Sequence, residues 1–332
     1  MFDIARRLAP ALALALALGA RAAEPLHGAG ATFPAPVYDA WATRYAQATG
    51  DAVRYDAIGS GLGVELATQG QVDFGATDAP LPAERLAATG LRQFPVLVGA
   101  VVPVINIAGI APGALVLDAP VLSAIFRGRI VRWSDPAIAA LNPGLALPAT
   151  RITVVHRADA SGSTWLWSRW LSECDAAWRD TLGTGTTLAW PVGTEGLGNE
   201  GVASLVQRTR SSIGYVAYAY AREHRLSDAR LPSRDGPVVR AERATFEAAV
   251  QAARARGADA FVDGLANAPG GRSWPIVGAS YVLVRPGGAQ AARVRAFFAW
   301  ALGAGAGVVS DLGYVPLPPE AAARALAALG RD

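Results

Sequence analysis

The 332 residues are 52% hydrophobic and 17% charged. Globular chains carry roughly 25% charge, so this composition excludes disorder and supplies apolar surface for about two domains. One cysteine, Cys174, three scattered histidines and the lack of any lysine among the 30 basic residues argue against a disulfide framework, a thiolate or imidazole metal centre, a Walker A loop and a Schiff-base or Ser-x-x-Lys catalyst.

Met1 to Ala22 has the pattern of a secretory signal. Arg6 and Arg7 precede an apolar stretch, Leu8 to Leu18, too short for a membrane span of about 20 residues. Ala20-Arg21-Ala22 fits the small-residue cleavage rule. The mature chain is expected to begin at Ala23 as a soluble exported protein, with no cysteine to carry a lipid anchor. Losing the signal lowers the formal charge from +3 to +1, with 27 arginines against 26 acids. That balance gives no support for nucleic-acid binding, which needs a clustered basic face.

Along the mature chain, Tyr38 to Thr49 has apolar residues three and four apart and stops at Gly50, which predicts a helix. Val53 to Tyr55 predicts a strand, Val64 to Thr68 a helix, Val72 to Ala76 a strand and Leu81 to Thr89 a helix. Phe94 to Ile107 is a long apolar run interrupted by Gly99 and Pro103, expected as strands crossing between two lobes. Helices are predicted over Val121 to Phe126, Thr164 to Cys174, Gly201 to Arg208, Ala241 to Gly257, Gln290 to Leu302 and Pro319 to Leu329. Strands are predicted over Ile152 to His156, from Ser211, and over Ser280 to Val284. The alternation argues for α/β layers with largely parallel sheets. No linker cuts the chain in two, so the second lobe (residues 100–277) is expected to be inserted into the first (23–99 plus 278–332). Ligands of such folds bind near helix N-termini at strand ends.

Four short segments have the makings of an anion site. Gly28-Ala-Gly-Ala-Thr32-Phe33-Pro34 brings small residues, a hydroxyl and a proline-opened helix whose first N–H groups lack internal partners; an ordinary helix cap is the plainer alternative. Ile58-Gly-Ser60-Gly-Leu62-Gly63 resembles a phosphate-cradling turn, and lacks the glycine spacing of a nucleophile elbow; Ser60 could equally be a simple N-cap. In Phe74-Gly-Ala-Thr-Asp78-Ala-Pro80, Asp78 sits just past a strand, where an Asx turn is also possible. In His156-Arg157-Ala-Asp159-Ala-Ser161-Gly162-Ser163-Thr164, a buried strand feeds an arginine able to give an oxyanion two parallel hydrogen bonds. Asp159 is close enough to orient it, and hydroxyls open the next helix.

These four segments, in this order, resemble the phosphate-binding protein of the phosphate-specific ABC transporter, the PstS family. GAGATFPAPVY and VDFGATDAP are long, specific matches. The likeness continues through Leu141 to Gly144, Gly183 to Gly185, Trp190 to Gly193, Gly198 to Gly201 and Ile213 to Val216. The resemblance implies a two-lobed type II periplasmic binding protein with inorganic phosphate in the interlobe cleft. It implies a periplasmic monomer serving a membrane permease and its ATPase, with no cofactor and no catalysis. Carried over, the phosphate ligands are Thr32, the Phe33 N–H, Ser60, Asp78, Arg157, Asp159, Ser161, Gly162 and Ser163. The sequence departs from the family pattern with Ser163 for Thr, Ala160 for Gly, Gly61-Leu62 for Ser-Gly and His156 for Arg.

Phosphate keeps at least one proton at neutral pH and sulfate keeps none. A carboxylate that only accepts, here Asp78, is expected to bind the first and repel the second, because an unpaired buried polar group discriminates by about 10⁴–10⁵-fold. A receptor for another oxyanion is the alternative. A secreted phosphatase using Ser60 or Ser161 is weaker, since a nucleophile needs a base in reach and only His156 lies near.

Overall fold

The computed structural model describes residues 24–257 and 263–330; the signal-like segment 1–22 lies outside them. In chain order the first elements are Leu26–Gly30 (β1), Ala35–Thr49 (α1), Val53–Ala57 (β2), Ser60–Gln69 (α2), Phe74–Thr77 (β3), Ala83–Thr89 (α3) and Arg92–Asn106 (β4). Next come Ala119–Phe126 (α4), Pro136–Leu141 (α5), Thr153–Arg157 (β5), Gly162–Cys174 (α6), Ala176–Arg179 (α7), Thr194–Gly196 (β6), Gly198–Arg208 (α8), Ser212–Ala217 (β7) and Tyr218–Glu223 (α9). The remainder is Ser227–Asp228 (β8), Leu231–Pro232 (β9), Val238–Val239 (β10), Arg243–Arg254 (α10), Val277–Val284 (β11), Ala291–Leu302 (α11), Ala306–Asp311 (α12), Val315–Pro316 (β12) and Pro319–Leu329 (α13).

The local reasons are those the sequence offers. Prolines fill first-turn positions of α1, α4, α5 and α13, where a missing N–H costs nothing. Asp118, Asp135, Ser161 and Asp175 accept a first-turn amide at their helix starts. Glu242 and Thr245 form a reciprocal capping box on α10. Gly50 closes α1 in the left-handed conformation at φ 80°.

The main sheet runs β2-β1-β3-β11-β4-β7-β5-β6, with β8 and β12 also on β4. The expectation of largely parallel sheets holds only in its two wings: β1 lies parallel to β2 and β3, and β5 parallel to β6 and β7. The centre is antiparallel, β11 against β3 and β4, and β4 against β7. The reason is connectivity. β4 leaves the first wing for the second and β11 returns, so the two must run oppositely. The Phe94 to Ile107 run is one 15-residue strand. It pairs with β11 through Ala100 and with β7 from Val101 onward. Gly99 does not break it but makes room, since a Cβ there would fall 2.5 Å from the Phe33 ring. Pro103 sits in register with Tyr215, and its carbonyl accepts from the Ala229 amide at 3.1 Å.

Each wing has its own aromatic core. Tyr38, Trp41, Phe74, Phe94 and Phe298 pack edge-to-face and tilted around α1 and α11. Trp167, of the tryptophan-rich α6, stacks on Tyr215 with ring centroids 5.0 Å apart, and Phe126 leans on both. Such ring pairs add about 0.5–1.5 kcal/mol each beyond burial.

Candidate functional site

Every strand of the first wing ends at the same edge of the sheet, and there it meets the β5–α6 turn of the second. β1 ends at Gly30 and turns through Thr32 and Phe33 into α1. The Phe33 ring is buried edge-on to Tyr314, with centroids 5.8 Å apart. The Tyr314 hydroxyl donates to the Phe33 carbonyl, and the Tyr220 hydroxyl to the Thr32 carbonyl at 2.8 Å. Two tyrosines thus fix the turn and hold Thr32 at 6% exposure.

Ser60 opens α2 and is buried. Its Oγ accepts from the Gly162 amide at 3.1 Å and, at a longer 3.4 Å, from the Asp78 amide. Gly162 belongs to the other wing, and no larger residue fits there: a Cβ would lie 2.5 Å from Asp78 Cβ and 2.6 Å from Asp78 Oδ2. The departure at Gly61 has the same character. Its amide donates to the Ala160 carbonyl at 3.0 Å, and a Cβ on it would lie 2.5 Å from Ala160 Cβ. Gly61 and Ala160 are therefore a matched pair, with the single methyl carried on the second wing. Leu62 points outward, 49% exposed.

Asp78, just past β3, is 1% exposed, and its Oδ1 accepts from the Ser280 hydroxyl on β11 at 2.7 Å. Burial pushes its carboxyl up to about 7, against the opposing pull of the Ser280 hydrogen bond and the Arg157 charge. Arg157 ends β5. It gives Nε to Asp159 Oδ1 at 2.8 Å and Nη2 to Asp159 Oδ2, leaving Nη1 outside the pair. The Gly198 amide adds a bond to Asp159 Oδ1 at 3.0 Å. Burial alone would raise the Asp159 carboxyl, but the Arg157 hydrogen bonds and charge, with the Gly198 amide, hold it below the usual range. Ser161 caps α6, its Oγ accepting the Thr164 amide at 3.1 Å. Ser163 follows, 1% exposed.

The structure thus brings all nine sequence-predicted residues onto one buried seam. Four of them share a further property. The hydroxyls of Thr32, Ser60, Ser161 and Ser163 each accept an N–H, and none donates to a protein acceptor among the described residues. A hydroxyl has one proton, and leaving it unmatched when buried costs about 1–3 kcal/mol. Four such protons around one arginine call for an external acceptor with several oxygens. His156, by contrast, is turned away. Its ring stacks on Trp190 at 4.8 Å, Nδ1 faces the Arg157 carbonyl at 3.3 Å, and burial lowers its basicity.

Four further residues complete the seam without having been singled out in the sequence: Tyr220, Tyr314, Ser280 and Asn199. Ser280 carried a signal, a small polar side chain inside the wholly buried, otherwise apolar and aromatic strand Val277–Val284. Asn199 lies in the Gly198 to Gly201 stretch that carries the family likeness, which gave it no role. It donates from Nδ2 to Thr32 Oγ1 at 2.8 Å.

Two α/β lobes on shared central strands, meeting on a buried, donor-lined seam, define a two-lobed type II periplasmic binding protein. Residues 17–304 match the family model described as a PBP superfamily domain. Solved structures share the fold. A high-affinity periplasmic phosphate-binding protein, PfluDING, bound with phosphate, superposes with a TM-score of 0.71 at 23% identity over 91% of this chain and 93% of that one. A putative phosphate ABC transporter substrate-binding protein from Clostridium perfringens, with bound phosphate, gives 0.61 at 17% identity over 89% and 100%. The phosphate-binding protein PstS of Pasteurella multocida is 43% identical over 301 residues, 90% of this chain and 88% of the relative; that of Haemophilus influenzae is 40% identical over 90% of each. The chain belongs to the PstS family of phosphate-binding proteins. No helix among the described residues is long and apolar enough to cross a membrane.

Proposed function

We propose that this protein is the periplasmic receptor for inorganic phosphate of an ABC importer, and that it delivers its ligand to the permease and ATPase of that transporter as a soluble monomer. The observation that carries the reading is the set of four buried hydroxyls that accept and do not donate, arranged about Arg157 and Asp78. Thr32, Ser60, Ser161 and Ser163 give hydroxyl protons to the phosphate oxygens. The amides of Phe33 and Gly162 contribute where the chain turns into a helix. Arg157, oriented by Asp159, supplies the full positive charge, and its pairing keeps the net charge of the site low enough for release. Asp78 takes the proton that HPO₄²⁻ or H₂PO₄⁻ still carries. Above pH 7 its ionised carboxylate has nothing to give a bare sulfate oxygen and repels it.

The lobe boundaries follow the same reading: residues 23–99 with 278–332 form lobe I, and 100–277 form lobe II. The change of partner strand along β4, between Ala100 and Val101, supports the division. Hinge closure about the crossing strands buries the anion, and the closed face is what the permease receives. Turnover is disfavoured by the orientation of His156, whose ring stacks on Trp190, leaving no imidazole bonded to Ser60 or Ser161 among the described residues.

Equilibrium dialysis with radiolabelled phosphate at pH 8, with excess sulfate as competitor, tests the reading. Saturable binding that sulfate does not displace is expected, with no release of p-nitrophenol from p-nitrophenyl phosphate. Displacement by equimolar sulfate would mean a general oxyanion receptor, and steady p-nitrophenol release would mean an enzyme.

A further inference from the structure

Asn199 is fully buried in the first turn of α8, and its side chain has only one possible orientation. The Ala217 amide donates to Oδ1 at 2.8 Å. An amide nitrogen cannot take that place, so Nδ2 must face the seam. Its two hydrogens go to Thr32 Oγ1 at 2.8 Å and toward Ser163 Oγ at 3.4 Å. The Asn199 backbone N–H is a second donor to Thr32 Oγ1, at 3.2 Å. Both lone pairs of the Thr32 hydroxyl are then filled, and its proton can only be given away.

The geometry points to Asn199 as a positioning residue that couples lobe closure to anion capture. Asn199 and Ser163 belong to lobe II and Thr32 to lobe I. The contacts to Thr32 therefore exist only when the lobes are shut. Closing the cleft occupies the acceptor side of the Thr32 hydroxyl and turns its proton toward the anion. The same amide spans the seam as a strap. Thr32 thus becomes an obligatory donor at the moment of closure, and opening returns it to an ordinary hydroxyl that water can satisfy. The effect resides in release, since the strap forms after the anion has entered.

This inference rests on the phosphate-receptor reading, and the experiment separates the two. Phosphate affinity, association and dissociation rates, and ligand-free melting temperature are measured for the full chain and for Asn199→Ala, Asn199→Asp, Thr32→Val, Thr32→Ser and the Asn199→Ala/Thr32→Val pair. Asn199→Ala is expected to speed phosphate release about tenfold while association changes less than about threefold, in line with loss of one or two buried hydrogen bonds. Asn199→Asp is isosteric and keeps the Ala217 bond. Its second oxygen accepts the Thr32 proton and withdraws it from the anion, so it is expected to be worse than Asn199→Ala. In the Thr32→Val background Asn199→Ala should change release by less than about threefold, because the hydroxyl it directs is gone. Thr32→Ser should restore the full dependence. Equal losses from Asn199→Ala with and without the Thr32 hydroxyl, or an Asn199→Asp chain that holds phosphate as the parent does, would overturn the inference. Should Asn199→Ala fail to fold, the comparison of Asn199→Asp with the parent decides alone. A parent chain that binds no phosphate would refute the receptor reading itself.

Discussion

Lobe II meets the seam with Arg157 bound to Asp159, whereas lobe I meets it with Asp78 and no basic side chain among Thr32, Phe33 and Ser60. Both carboxyl groups are largely out of water, yet they move in opposite directions, Asp159 below its ordinary range and Asp78 up to about 7. The difference lies in their partners. Asp159 receives two guanidinium bonds and an amide; Asp78 receives one hydroxyl and a more distant charge. On the proposed reading, lobe II attracts any oxyanion and lobe I tests whether that anion still carries a proton. Substitutions can break this division of labour at either end.

Arg157→Ala should have the largest effect. It removes the one cation, strands Asp159 as an unpaired buried charge, and is expected to weaken phosphate binding about 100-fold or more while lowering stability by about 3–5 kcal/mol. Calorimetry and thermal melts check it. An affinity within tenfold of the parent would place the charge elsewhere.

Next comes the matched pair on the seam. Gly61→Ser places a Cβ 2.5 Å from that of Ala160. Overpacking of this kind costs about 1–3 kcal/mol, here set against closure, so phosphate affinity should fall about tenfold or more. Ala160→Gly should restore it, and additive losses in the double variant would refute the pairing.

Asp78→Asn sharpens the contrast between the carboxylates. Phosphate should bind about tenfold more weakly and sulfate measurably better. The parent chain should itself admit sulfate as pH falls below 7, when Asp78 becomes a donor; the Asp78→Asn chain should show no such pH dependence. Stability without ligand follows the same group. Between pH 4 and 7 the native state holds a proton on Asp78 that the unfolded chain has lost, so stability falls as pH rises through this window and levels off above it. Melting temperatures across pH 4–8 should show that decline in the parent, and less of it after Asp78→Asn. An unchanged profile would remove Asp78 from the titration.

Leu62→Ser should do least. The side chain is half-exposed, and a change within about 0.5 kcal/mol in stability is expected, with phosphate affinity unaltered. A large loss would mean that Leu62 closes the cleft after all.

The four segments that meet on the seam could be read in the sequence because each is continuous. Arg157 to Ser163 places a charge, its orienting carboxylate and two hydroxyls within one strand-to-helix turn, and Thr32, Ser60 and Asp78 stand at similar turns marked by glycine and proline. Of the five helices with side-chain caps, α4, α6 and α10 are predicted from the sequence, whereas α5 and α7, six and four residues long, are not. What escaped was long-range. Asn199 meets Thr32 across 167 residues and Ser280 meets Asp78 across 202, and nothing local to either residue says what it meets. The antiparallel centre escaped for the same reason, since the direction of β11 against β4 is set by the route of the chain between lobes. Two-residue strands such as Leu231–Pro232 and Val238–Val239 are too short to carry a period.

Selectivity at this seam is a matter of proton positions, and neutron diffraction from phosphate-bound crystals grown near pH 8 observes them. The deuterons of Thr32, Ser60, Ser161 and Ser163 are all expected to be directed at the anion, with one deuteron on a phosphate oxygen facing Asp78. Hydroxyl deuterons turned toward protein acceptors, or a fully deuteron-free anion beside Asp78, would contradict it.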